Sequence, residues 1–515
     1  MKKIFPVVLV LLLLFGAASS LASDVSKEID LTYCLYFNDA SDYLDLKEEF
    51  PKVFEEKTGY KLNMNILARE EYLTKLNLLA LSGDLKGIVR TFGISDLISW
   101  RRDDMIVPIN GILENPNFTD NISSRVIDYF TFDGDLWAIP MGADGMGSMF
   151  GRTYRQDWLD KLGLEVPHTI DEFYEVMKAF ATQDPTGTGA ATYGFTSRNN
   201  WTMQDIYAAF DARLDNTGDT SIGYDPMLGY WADSMVKPEM VEALEFLRKC
   251  YAEGLLDPEV FTNSGAAMRE RMYASQAGSI YYWSTFGLPS TLPNYAASAP
   301  DAKLAFTYGL TGKRTEKVNF VSGSIGLPLV MAAGTPNADE MANNFVDAFI
   351  GSEIGHEMAR FGIEGVTYRK AEDGTIIRLW DETAENWFPY PGLVDMYGPK
   401  YDLVNMPFAT DGTPEQIATS LTEQQSLLAL HEAAKNDPMM FIEEEGGIAV
   451  SEAWERLKGD INMAYLECIS SAVMGTVPVQ EAIDNYISVM RAIGAATAID
   501  EINAYNGFDA PAFVY

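Results

Sequence analysis

The chain has 515 residues, too many for one compact core, which points to two or more domains. Hydrophobic residues make up 47% and charged residues 22%, an ordinary globular balance that excludes disordered and collagen-like classes. A formal net charge of −36 repels phosphate backbones and anionic lipid, so no nucleic-acid partner is expected.

The first residues read as a secretory signal. Lys2 and Lys3 precede an apolar run from Ile4 to Phe15, and the small-residue stretch GAASSLAS follows. Cleavage is expected after Ala22, with Ser20 and Ala22 as the small residues. The run is shorter than the ~20 residues a membrane-spanning helix needs. No Cys sits at the cut, so lipid attachment is not indicated, and a secreted protein, periplasmic or extracellular, is expected. Cys34, Cys250 and Cys468 form neither a disulfide framework nor a zinc spacing. Each sits among apolar residues as a buried thiol would, and one bridge between two of them stays open.

IDLTYCLYF (29–37) has the β-branched and aromatic content of a buried strand and runs into the polar Asn38, Asp39 and Ala40. LKEEFPKVFEEKTG predicts a helix closed by Gly59, and KLNMNIL (61–67) a second strand. A helix follows over 69–82, with Leu73, Leu76, Leu79 and Ala80 as its apolar face. Alternating strands and helices predict an open α/β sheet. Thr169 and Glu172 have capping-box spacing ahead of Phe173, Val176, Met177 and Phe180. Thr192–Thr196 reads as a strand. Pro238 opens a helix with Val241, Leu244, Leu247 and Tyr251 on one face, and Ile483, Tyr486, Ile487, Met490 and Ile493 repeat the pattern. The stretches 196–235 and 371–413 read as long loops.

Catalytic signatures fail one after another. Neither HEMAR nor HEAAK has the second His of a zinc-protease helix, VSGSIG is not a hydrolase elbow, and GADGMGSMFG carries no phosphate-loop lysine. Asp184 opens a calcium-type loop, ATQDPTGTGAATYGF, with Gly189 at the sharp turn. The other ligand positions hold Thr186, Thr188, Ala190, Thr192 and, last, Phe195, so a structural turn and no bound metal are expected. A paired-carboxylate site is spatial and has no sequence pattern, which keeps a secreted polysaccharide-active glycoside hydrolase or lyase as the enzymatic alternative.

Several blocks, in order, resemble the extracellular solute-binding proteins of ABC carbohydrate importers, and most closely the large oligosaccharide-binding type typified by alginate-binding proteins. They are YRQDWLDKLGLEVPHTIDEFYEVMKAF (154–180), the calcium-type loop that follows it, KPEMVEALEFLRKCYAEGLLDPEVF (237–261), ARFGIEGVTYRKAEDG (359–374) and AIDNYISVMRAIGAATAIDEINAYN (482–506). The resemblance implies a two-lobed, periplasmic binding protein-like (type II) α/β fold with a hinge and an interlobe cleft. It implies a signal peptide over 1–22, one lobe from 23–143 with 318–370, and another from 144–317 with 371–515. The implied function is capture of a carbohydrate, an oligosaccharide, and its delivery to membrane permease subunits by a monomer without catalysis or cofactor. A peptide-binding protein of the same fold is a further alternative.

Sugars offer apolar ring faces to aromatic side chains and hydroxyl edges to polar ones. Among 9 Trp, 26 Tyr and 27 Phe, those in polar loops or at strand ends are the candidates. Ligand-binding candidates are Tyr36, Asn38, Asp39, Asp144, Trp201, Tyr282, Trp283 and Trp387, with Tyr390 beside the last. Trp137, Trp158 and Trp454 are read as core. Arg90 is read as a surface ion pair or a partner for an acidic sugar, and Glu364 and Tyr368 as structural.

Overall fold

The computed structural model describes residues 27–34, 44–67, 71–91, 94–122, 124–140, 150–198, 203–214, 220–287, 289–313, 319–321, 328–381, 386–387, 408–414 and 451–515, with short pieces at 417–418, 421–422 and 440–442. The expected signal peptide lies outside them. The strands used below are β1 (Glu28–Cys34), β2 (Lys61–Leu67), β3 (Ile88–Arg90), β4 (Ile106–Val107), β5 (Phe150–Arg155), β6 (Ser279–Trp283), β7 (Leu304–Thr307) and β8 (Leu329–Ala332). The helices are α1 (Leu44–Thr58), α2 (Tyr72–Ser82), α3 (Gln156–Leu162), α4 (Ile170–Thr182), α5 (Gln204–Ala209), α6 (Pro238–Ala252), α7 (Glu452–Met474), α8 (Val479–Ile493) and α9 (Ala496–Tyr505).

The first sheet has the order β2-β1-β3-β8-β4. β1 runs parallel to β2 and β3, while β8 returns antiparallel to β3 and β4. Its core takes buried residues from Ile29 to Ile139 and again from Leu329 to Ile363. α2 meets this sheet differently from the leucine pattern. Tyr72 and Leu76 are buried and Leu73 is exposed, because the Tyr72 hydroxyl reaches the Arg90 carbonyl at 2.7 Å and anchors the helix face.

The second sheet is antiparallel, with β5 between β6 and β7. Its core draws on Tyr154 to Leu310 and on Ala453 to Ile502. α7 lies against α6 and α8, which closes this core late in the chain. α4 carries the expected reciprocal cap: the Glu172 amide donates to Thr169 Oγ1 at 3.2 Å, and Thr169 N–H donates back to the Glu172 carboxylate at 3.1 Å. Trp158 and Trp454 are core residues, Trp137 packs against the first core, and Cys250 and Cys468 are buried free thiols. Burial pushes both thiols up to about 12.

Three readings change: the 371–413 stretch, expected as a loop, holds short strands at Ile376–Arg378, Trp380–Asp381, Asn386–Trp387 and Phe408–Thr410, because β-branched and aromatic residues there find pairing partners. The 196–235 stretch holds α5 and a hairpin, Ile222–Asp225 with Tyr230–Asp233. Thr192–Thr196 makes only single bridges, at Tyr193, Phe195 and Thr196, because the backbone bends at Gly194 and no ladder continues through it.

Candidate functional site

β6 decides the geometry of the second-sheet site. Side chains alternate along a strand, so Tyr281 and Trp283 share one face and Tyr282 takes the other. Trp283 pairs across to Phe150 in register, with ring centroids 4.0 Å apart at 39°. Tyr281 also stacks on Phe150, at 5.9 Å. Ala208 and Leu214 complete this cluster, and Trp283 is only half-buried at its edge. Tyr282 instead packs edge-on to Phe286 at 5.8 Å in a satellite core, and its hydroxyl accepts from Arg269 Nη1 at 3.3 Å. The structure therefore does not bring Tyr282 and Trp283 to one surface.

A buried ion pair fixes α5 beneath these rings. Arg152 on β5 forks onto Asp205, Nε to Oδ2 at 2.6 Å and Nη2 to Oδ1 at 2.8 Å, and both side chains are essentially inaccessible. Nη1 adds Ser279 Oγ at 3.3 Å. Burial opposes the charged guanidinium, but the Asp205 charge and hydrogen bonds outweigh it and hold the Arg152 pKa above its ordinary value. The pair is a neutral, rigid base.

Gln204, which opens α5, is the residue sequence reasoning missed. It is fully buried, and among the described residues neither its amide nitrogen nor its carbonyl oxygen has a hydrogen-bond partner. Most buried polar groups are satisfied, and an unsatisfied one costs about 1–3 kcal/mol. Gln204 and Ala208 share a helix face at i, i+4, which sets the carboxamide one turn from the ring cluster. No periodicity marks such a residue.

On the first sheet, Arg90 ends β3 beside the end of β1. It is buried, which corrects the surface ion pair: its guanidinium lies 4.5 Å from the Tyr33 ring centroid and donates to the Tyr33 hydroxyl at 2.5 Å. The parallel strands β1 and β3 end here, the end at which open α/β sheets take ligands. Tyr36, Asn38 and Asp39 follow β1 in sequence but lie outside the described residues, as do Asp144, Trp201 and Tyr390. Trp387 belongs to a short strand paired with Trp380, and its side chain is outside the description. Tyr368 is buried and its hydroxyl bonds Glu357, which also pairs with Lys370 at 2.7 Å, while Glu364 is exposed.

A cavity of about 260 Å³ lies elsewhere on the second core, between the 222–233 hairpin and Pro511–Val514. Its wall includes the Lys237–Asp225 ion pair at 2.9 Å and the end residues of the hairpin strands, Asp225, Tyr230 and Asp233.

The sequence profile of the bacterial extracellular solute-binding proteins matches residues 39–355, more than half of the chain, and the chain belongs to that family. It is a family of binders, so the hydrolase or lyase alternative falls. The chain is 26% identical over 313 residues to the fructooligosaccharide ABC transporter substrate-binding protein FusA of Streptococcus pneumoniae serotype 4, covering 55% of this chain. That match spans 57% of FusA, less than two thirds of its length. It is 26% identical over 368 residues to the polygalacturonan/rhamnogalacturonan-binding protein YtcQ of Bacillus subtilis, covering 66% of this chain and 67% of that one. Among solved structures, the alginate-binding protein AlgQ2 without calcium ion is similar at TM-score 0.65 and 19% identity, covering 93% of this chain and 98% of that one. An EF-hand mutant of FusA in complex with fructo-nystose is similar at TM-score 0.62 and 18% identity, covering 93% and 99%. The two-lobed α/β binding-protein fold is thus shared with proteins of low sequence identity. Among the described residues no helix is long and apolar enough to cross a membrane.

Proposed function

We propose that this protein is the substrate-binding component of an ABC importer that captures an oligosaccharide outside the cytoplasmic membrane and hands it to membrane permease subunits. The two separate hydrophobic cores support a division into lobes at 23–143 with 318–370 and 144–317 with 371–515. The ligand sits at the paired Phe150 and Trp283 ends of β5 and β6, and closure of the lobes sequesters it. The protein acts as a monomer.

The observation that carries this reading is the half-buried Trp283 ring tilted against Phe150 at 4.0 Å, with the Gln204 carboxamide, unpartnered among the described residues, one helical turn from Ala208 of the same cluster. A ring face and an amide donor-acceptor pair are the two groups a sugar ring and its hydroxyls require. The relatives named above bind fructooligosaccharide and polygalacturonan, a neutral and an acidic glycan. The neutral class suits this chain better: its net charge is −36, and Arg152 beneath the rings is already neutralised by Asp205.

A thermal-shift screen of the mature protein against neutral oligosaccharides, oligogalacturonides and peptides tests it, because a ligand selective for the folded state raises the melting temperature. A neutral oligosaccharide raising Tm, and recovered intact afterwards, is the expected result. A shift with peptides alone overturns the carbohydrate reading, and a shift with acidic glycans alone overturns the neutral preference.

A further inference from the structure

The fold family includes calcium-bearing loops, and the loop after α4 has their outline. Its residues do not fit the ion. Calcium takes about 6–8 oxygen ligands, closed by a bidentate carboxylate at the twelfth position. Here the twelfth residue is Phe195, which is fully buried and packs edge-on to Phe173 at 5.4 Å. The ninth, Thr192, spends its hydroxyl on the Phe180 carbonyl at 2.7 Å. Asp184 is the loop's one carboxylate, and both its oxygens are engaged. Oδ1 accepts from the Gly187 amide at 2.9 Å and Thr186 Oγ1 at 3.0 Å, and Oδ2 from the Gly189 amide at 3.1 Å.

A cation is nevertheless present. Lys161, in the last turn of α3, donates its ammonium to the Pro185 carbonyl at 2.7 Å and reaches the Asp184 carbonyl at 3.5 Å. It lies so close over the turn that a Cβ on Gly187 would sit 2.9 Å from Nζ, and Gly187 has a φ of +74° that suits glycine alone. We infer that Lys161 is the built-in replacement for the calcium ion, a tethered monovalent cation that holds this loop closed and makes the protein calcium-independent. The Asp184 carboxyl is held below its usual range, first by the Thr186 hydroxyl, then by the Gly189 and Gly187 amides and the Lys161 charge. The lock matters for the site. The loop delivers Thr196, whose bridge to Ile280 braces β6 three residues before Trp283.

The test uses the whole mature protein and needs no sugar, so it fails or succeeds separately from the proposed function. Melting temperature is compared in excess EDTA and in millimolar calcium chloride, with calorimetric titration of calcium chloride alongside. A Tm constant within about 1 °C and no saturable heat are expected. A calcium-dependent rise of several degrees overturns the inference. Lys161→Met is expected to lower Tm by about 2–4 °C, the scale of one lost interaction in a domain of this size. It also speeds hydrogen exchange at the Gly187 and Gly189 amides, while Lys161→Arg keeps both near wild type. Unchanged exchange at those two amides in Lys161→Met overturns the lock.

Discussion

Trp283 and Phe150 face each other across β6 and β5 with ring centroids 4.0 Å apart. Phe150 is 2% exposed and Trp283 only half-buried, so one ring is foundation and the other surface. A half-exposed indole on a rigid ring base is what a sugar face needs: large contact area at little ordering cost.

Gln204 separates binding from stability. Replacing it with Leu removes a buried, unpartnered carboxamide, which relieves about 1–3 kcal/mol of desolvation cost. Gln204→Leu is therefore expected to melt at or above the wild-type temperature and to bind sugar more weakly, by about tenfold for a lost hydrogen-bond pair. Differential scanning calorimetry and a sugar titration read the two effects. A variant that loses stability and keeps its affinity contradicts the assignment.

The Arg152–Asp205 pair behaves as a unit. Breaking either half leaves a buried uncompensated charge and costs about 3–5 kcal/mol, whereas an apolar pair of similar volume costs far less. Arg152→Met and Asp205→Leu are each expected to lower stability sharply, and the double variant to recover most of the loss. Denaturant unfolding of all four proteins gives the cycle. Additive losses contradict a coupled pair.

Acid weakens the second core through two helix caps. Glu501 Oε2 accepts from Ala453 N–H at 2.9 Å and Ser451 Oγ at 2.7 Å, and so caps α7 from α9. The Ala453 amide first, and the Ser451 hydroxyl, lower the Glu501 pKa below its ordinary 4.5. The His168 and Thr169 amides do the same for Glu172 at α4. A carboxyl depressed on folding stabilises fully above its unfolded value and loses that contribution as pH falls through the folded one. Tm is expected to drop below about pH 4.5. Glu501→Gln is expected to melt lower than wild type at neutral pH, with the gap closing in acid. A gap that widens in acid contradicts the cap.

Much of this fold was legible because its signals are local. Thr169 and Glu172 announce α4, Pro238 announces α6, and KLNMNIL coincides with β2. The failures are tertiary. The leucines of α2 predict its buried face, but a tyrosine hydroxyl bonded to sheet carbonyls turns the helix. The Tyr230 hairpin hid in a polar stretch, although Asp225 and Gly229 mark its turn: the Asp225 carboxylate accepts the Met227 amide at 2.9 Å, and Gly229 has a φ of +78°. At the site, strand alternation separates Tyr282 from Trp283, and that rule was available from the sequence once β6 was placed. Gln204 and the buried Arg90 were not, because burial without a partner and stacking on Tyr33 are properties of space.

The most direct measurement is a titration, by tryptophan fluorescence and calorimetry, of wild type and Trp283→Ala with the neutral oligosaccharide that most raises Tm. Saturable binding to wild type, weakened about tenfold or more in the variant, is expected for a buried aromatic anchor. Equal affinity in both proteins, or release of a shortened sugar, would contradict an oligosaccharide binder built on that ring.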